Sequence, residues 1–501
     1  SALNVARDRE QVLNALETAA TSIRRRLGES RESLRQYSVP LVRATTPSLE
    51  ALQALTLGDY YRDHAKPADA LTMYRQATDL DPNFALAWAR RGAAAYNLAL
   101  TDEVIPAIRR AYELRERITA PERFYITAGY YRMVEGDPDR TIDAYRAWKQ
   151  MYPGSPIPPT NLASTLTGWL GQYEQALPEA REAVRLAPYS SLASVNLVVA
   201  SLGLGDMAAA RRVVAEAASR GQDDLIAHQH RVYFALLDGD QAAIDREVLW
   251  ASRNPAAALW VLRARAGDAW ASGRLREARR LSSEVIALAA QTGSEPALAE
   301  VHFTLAEAEA LLGDSRNAKR AIEASLALDA ESDIRTQSAI VLDLIGDTAR
   351  ARSVLAVVQE QPVTRPTVGR VFLPVALALD AAARGRTDEA VRMLQPVIRF
   401  ERGYGFNLVP VGVRAIIEGM AGRPASAADA FGDLMRARGP HVLSRWVPFA
   451  RLSIARALRE AGDTAGSLAA YDDFLEAWKH ADPDAPLLVA ARRERAALAA
   501  R

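Results

Sequence analysis

Residues 171–190 read GQYEQALPEAREAVRLAPYS. From Gly171, Ala176 follows five residues on, Ala183 twelve on and Pro188 seventeen on, and the same offsets recur elsewhere. Upstream, Gly136, Thr141, Trp148 and Pro153 keep them; downstream, Gly205, Ala210 and Ala217 do. The segment that starts at Ala51 sets a longer frame, with Gly58 at position 8, Ala70 at 20, Ala77 at 27 and Pro82 at 32. A ladder of glycines extends the pattern: 136, 171, 205, 239, 273, 313, 346, 385, 422 and 462, separated by 35, 34, 34, 34, 40, 33, 39, 37 and 40 residues.

Such a pattern has a mechanical reading. Two helices approach closely only where side chains are small, which the alanines at 20 and 27 provide. The step between them needs a residue tolerant of positive φ, hence glycine. Asp137, Asp206, Asp240, Asp314, Asp347 and Asp463 follow their glycines and are placed to cap the second helix. Proline then stops it, because the residue before proline avoids helical geometry. One hairpin cannot bury its apolar face alone, so the units must stack. Glu174, Glu179 and Glu182 with Arg181 and Arg185 stand three and four residues apart, the spacing of surface ion pairs on a solvated helix face.

The period near 34 and the small residues at 8, 20 and 27 with proline at 32 resemble the tetratricopeptide repeat. The resemblance implies an all-α fold, an α-α superhelix or solenoid of about twelve helix-turn-helix repeats over residues 51–484. Residues 485–501 then form a C-terminal capping helix. At the other end, Val12, Leu16, Ala19, Ile23 and Leu27 have helical spacing, so residues 1–36 are expected to form an amphipathic helical segment outside the array. Residues 37–50 hold two prolines and a Thr-Thr pair and read as a connector to a helix capped at Ser48. The connector and the closing stretch after Ala450 resemble the sensory regions of bacterial signalling proteins that carry a serine/threonine kinase or a winged-helix domain upstream. No kinase motif is visible, and the chain starts at Ser1 rather than Met, so this resemblance implies a downstream piece of such a protein.

Composition limits the functional classes. With 62 basic and 61 acidic residues the net charge is +1, so no long-range field draws nucleic acid or an anionic membrane to the chain. No run of eighteen apolar residues occurs, and the N-terminus lacks the pattern of a signal peptide, so no membrane span is expected. The absence of cysteine excludes disulfides and thiolate metal sites and leaves the compartment open.

Catalytic chemistry finds little support. The six histidines are dispersed at 64, 228, 230, 302, 441 and 480. His228 and His230, two residues apart on a helix, point about 200° apart and cannot share one metal. Residues 203–208, GLGDMA, imitate a dinucleotide fingerprint but have no preceding strand, and Gly205 belongs to the turn ladder. No cofactor or metal is therefore expected, and the fragment reads as a non-catalytic scaffold for a protein or peptide. The first helix of each hairpin is expected to line a concave groove, with Asn97, Tyr130, Asn161, Trp169, Asn196, Gln229, Tyr233 and Arg263 facing a partner. A second possibility stays open. Insertions after residues 360, 400 and 436 could fold over a small-molecule or active-site pocket that uses Tyr404, Asn407, His441 and Arg445.

Overall fold

The computed structural model describes residues 15, 18, 19, 21, 22 and 46–500, apart from 64, 65, 99, 223, 292, 329–331 and 361–364. The amphipathic segment expected over 1–36 thus lies outside the described residues but for five helical positions, as do most of the connector and His64. Among the described residues there are 25 α-helices and no strand. The first 24 helices follow one another as hairpins, as the glycine ladder predicts, and the last stands alone.

The chain forms two compact units, one of Ser1–Pro158 with Thr364–Pro366, the other of the remainder. Unit 1 holds three hairpins: α1 (Leu49–Asp63) with α2 (Pro67–Leu80), α3 (Ala85–Asn97) with α4 (Thr101–Glu113), and α5 (Ala120–Tyr130) with α6 (Pro138–Met151). Ser48 opens the array by accepting from Ala51 N at 3.0 Å. Position 8 must be small: a Cβ on Gly58 would sit 2.6 Å from the buried Tyr74 ring, and Tyr74 in turn donates to Asp59 at 2.7 Å. Ala70 and Ala77, at positions 20 and 27, are at most 1% exposed.

Unit 2 starts within α7 (Ile157–Thr165) and runs through α8 (Tyr173–Leu186), α9 (Ser191–Gly203), α10 (Met207–Ser219), α11 (Leu225–Asp238), α12 (Gln241–Ala251), α13 (Pro255–Ala271) and α14 (Leu275–Ala290). It continues with α15 (Glu295–Leu311), α16 (Ser315–Leu326), α17 (Ser332–Leu344), α18 (Thr348–Glu360), α19 (Leu373–Ala383) and α20 (Thr387–Leu394). The last hairpins are α21 (Val409–Met420) with α22 (Pro424–Ala437) and α23 (Trp446–Glu460) with α24 (Thr464–Ala477), followed by α25 (Pro486–Ala499).

All ten ladder glycines are left-handed, with φ between 59° and 94°. Each ends the first helix of its pair, and the next residue's N–H reaches back to a carbonyl of that helix, as Asp206 N does to Ser201 O at 2.9 Å. The second helix is then capped: the Asp206 carboxylate accepts from Ala209 N at 2.8 Å, and the aspartates after the other five glycines do the same. Where arginine replaces aspartate, at 274, 386 and 423, the side-chain cap is absent but the backbone closure persists. On α8, Ala176, Ala180 and Ala183 are fully buried, whereas Glu174, Arg181 and Arg185 face solvent, with Arg185 paired to Glu182 at 2.8 Å.

Candidate functional site

Two surfaces could receive a ligand, and they differ in what already occupies them. In unit 2 the first helices of the early hairpins meet the long connectors that follow α20, α22 and α24. The first connector carries the 3-10 turns Ile398–Phe400 and Tyr404–Phe406 and lies on the end of the α7 segment. Trp169 stands edge-on to Phe400 and Phe406 at 6.1 and 6.2 Å and is 6% exposed. Backbone approaches backbone here. A Cβ on Gly403 would come within 2.4 Å of Trp169 O, and one on Gly171 within 2.3 Å of the Arg402 backbone. Tyr173 seals the contact by donating to Arg402 O at 2.9 Å. Asn407 and Leu408, both left-handed with φ of 47° and 66°, then swing the chain into α21.

The second connector, 438–445, repeats the device. Tyr233 donates to Gly439 O at 3.0 Å, and burial keeps its phenol protonated by pushing its pKa upward. A Cβ on Gly439 would overlap Leu202 O at 2.0 Å. Arg445 reaches Glu307 Oε2 at 2.5 Å and Trp446 Nε1 donates to Glu307 Oε1 at 3.0 Å, so the buried Glu307 ties α15 to the start of α23. The third connector brings Trp478 Nε1 to Ala271 O and Asp482 N to Gly273 O, each at 3.0 Å.

These stitches account for many of the sequence-derived candidates. Trp169 and Tyr233 contact the connectors, and Asn196 is buried, giving its amide to Thr160 O at 2.8 Å. Arg263 pairs with Glu300 at 3.3 Å, while Asn161 and Gln229 are half-buried on α7 and α11. In unit 1, Asn97 is exposed at the end of α3, and Tyr130 stacks on Tyr112 at 3.9 Å. Among the residues of the pocket alternative, Arg445 is committed to Glu307, and Tyr404 stacks on the half-buried His441 at 5.0 Å.

The second surface is a groove of about 730 Å³ between α5 and α6, lined by unit 1 residues alone. Phe124 forms its floor, stacked on the buried Trp148 with ring centroids 6.3 Å apart. Tyr131 closes one end beneath the Arg140 guanidinium at 3.9 Å, and Met151, half exposed, closes the other. Arg123 on the α5 wall and Asp143 on the α6 wall are exposed, and neither has an ion-pair partner among the described residues. Periodicity does not distinguish this face, because Phe124 and Tyr131 read as ordinary core aromatics. A signal was nevertheless present: 37 residues upstream the same positions are Ala87, Ala94 and Ala107, and here they are Phe124, Tyr131 and Ala144.

The histidine pair is separately engaged. His228 Nδ1 lies 2.5 Å from Glu247 and its ring stacks on Trp250, whereas His230 Nδ1 lies 2.8 Å from Ile226 O. Among the described residues no three metal-ligating side chains converge, and no helix is long and apolar enough to cross a membrane.

No family model matches the chain, and no curated protein matches it. Among solved structures, the yeast Tom70 crystal structure aligns over 90% of this chain and 96% of its own, at 11% identity and a TM-score of 0.28. The human IFIT1 dimer with PPP-AAAA aligns over 94% and 95%, at 12% identity and a TM-score of 0.33. Likeness at this distance carries no functional information, and the fold assignment rests on the hairpins themselves.

Proposed function

We propose that the chain is a non-catalytic helical-repeat scaffold that binds a protein or peptide, and that its binding surface is the α5–α6 groove. The observation that carries this reading is the contrast between the two surfaces. The early hairpins of unit 2 already hold the chain's own connectors, whereas the groove combines apolar floor, aromatic end and uncommitted charges of both signs. That mixture is typical of a recognition patch, in which buried aromatics anchor and peripheral charges orient. In a parent protein of the bacterial signalling type, occupancy of the groove would be the event reported to an upstream effector domain.

The test is selection of peptides from a random display library on the whole chain. Selected peptides should lose at least tenfold in affinity against Tyr131→Ala and against Arg123→Glu, and keep their affinity for Gln229→Ala on unit 2. Peptides indifferent to both groove changes would overturn the assignment.

A further inference from the structure

We propose that a small cavity between α9, α10 and α11 is a second binding site, which takes the side chain of a threonine from a partner polypeptide. It lies within unit 2 and is independent of the α5–α6 groove.

The cavity measures about 20 Å³ and is lined only by those three helices and by Gln222 and Asp224 of the turn before α11. Its inner wall is buried and aliphatic at Val198, Val213 and Ala217, while Val195, Val214 and Ile226 are half-buried and form its rim. One water needs about 10–15 Å³ of such space, and a whole drug-sized ligand about 300–1,000 Å³. The cavity therefore admits roughly two bonded heavy atoms, the tip of a larger molecule.

The polar groups of the lining specify that tip. Gln222 is 8% exposed, and its Nε2 has no hydrogen-bond partner among the described residues; its Oε1 accepts a long bond of 3.4 Å from Ser194 Oγ. A buried N–H without an acceptor is unfavourable, so this amide calls for an acceptor from outside. His230, on the same lining, donates from Nδ1 to Ile226 O at 2.8 Å, because a carbonyl only accepts. Burial lowers the pKa of the imidazole and keeps it neutral, which leaves Nε2 as an acceptor. One donor and one acceptor on an aliphatic wall match a hydroxyl, which uses both at once.

Ionic tips are disfavoured. Asp224 already accepts from Ala227 N at 3.0 Å and from the Ser191 hydroxyl, one bond to each carboxylate oxygen, and no lysine or arginine belongs to the lining to balance an anion. A neutral hydroxyl with one methyl beside it, the Oγ1 and Cγ2 of threonine, fills the volume and serves both Gln222 and His230.

The surroundings favour a polypeptide as the bearer over a free alcohol. Leu192, next to the lining residue Ser191, is 53% exposed, and Tyr189, two residues before it, is 74% exposed. Large apolar side chains beside a pocket supply the contact area that holds a chain whose single side chain is inserted. The 438–445 connector, which accepts from Tyr233 further along α11, contributes nothing to the lining.

The experiment selects peptides from a random display library on the full chain and measures them by fluorescence polarisation. One set should carry threonine at a fixed position and lose at least about tenfold in affinity when it becomes valine, which lacks the hydroxyl, or serine, which lacks the methyl. The same peptides should lose at least about tenfold against Gln222→Leu and keep their affinity for Tyr131→Ala. Gln222→Leu deletes a donor that has no partner, so this variant should melt no lower than the native chain; Val214→Phe, which plugs the rim, is the second variant and should also abolish binding. Equal binding of the valine or serine peptides would overturn threonine as the occupant. Selected peptides indifferent to both Gln222→Leu and Val214→Phe would overturn the site. If ethanol shifts the Gln222 side-chain amide resonances while no selected peptide depends on Gln222, the cavity belongs to a free alcohol and the polypeptide partner is wrong. Dependence on Tyr131 is read separately, so failure of the α5–α6 groove and failure of this cavity are distinguishable.

Discussion

Asp343 on α17 has neither carboxylate oxygen hydrogen-bonded, and it faces Asp380 of α19, which is 2% exposed. Burial first, and the Asp380 charge second, push the Asp343 carboxyl up to about 7, against the pull of Arg384 and Arg352. The folded chain therefore keeps a proton that the unfolded chain sheds near pH 4, and this contribution to stability declines as pH rises from about 4 to about 7. His441 works in the opposite sense. Burial lowers it to about 4, so the unfolded state holds the extra proton, and stability is lost as pH falls from about 6.5 toward 4. Asp343→Asn should remove the first slope alone. Urea midpoints of variant and native chain should diverge in the variant's favour between pH 4.5 and 7, and a pH-independent difference would refute the retained proton on Asp343.

At the scale of the element, the connectors do the work that short turns do elsewhere. Arg445 and Glu307 are 14% and 5% exposed at the side chain, so each is a charge held away from water by the other. Truncating one partner of such a pair strands the remaining charge, which typically costs about 3–5 kcal/mol, far more than a surface pair is worth. Arg445→Met should accordingly lower unfolding free energy by an amount in that range in guanidinium titration. The exposed Arg185–Glu182 pair, broken by Arg185→Met as a control, should change it by less than about 1 kcal/mol. Comparable losses in both would mean that the 438–445 connector is not a stitch.

For the whole molecule, the consequence concerns cooperativity within unit 2. In a simple solenoid each hairpin contacts only its neighbours, and stability propagates along one dimension. Here Gly439 touches Leu202, and Arg402 touches Tyr173 across 229 residues of sequence. Gly439→Ala should loosen both sides of its contact. Amide exchange should accelerate around Leu202 and Gly203 as well as in the connector, although more than 230 residues separate them. Acceleration confined to 436–446 would restore the nearest-neighbour description.

The residues that make each hairpin are local, and so they were legible: glycine at positive φ, the aspartate that caps the next helix, and alanines where two helices touch. Each answers a requirement set within about 34 residues, and its signature repeats along the chain. The 360, 400 and 436 insertions were visible as interruptions of period, but their purpose was not. Whether Tyr233 faces a partner or Gly439 depends on where a segment 206 residues away comes to rest, and no local preference encodes that distance. The sequence by itself determined the hairpins because backbone closure and small-residue contact are short-range physics; the tertiary structure alone decided which faces of unit 2 the long connectors occupy, because occupancy is settled by parts of the chain that meet only after folding.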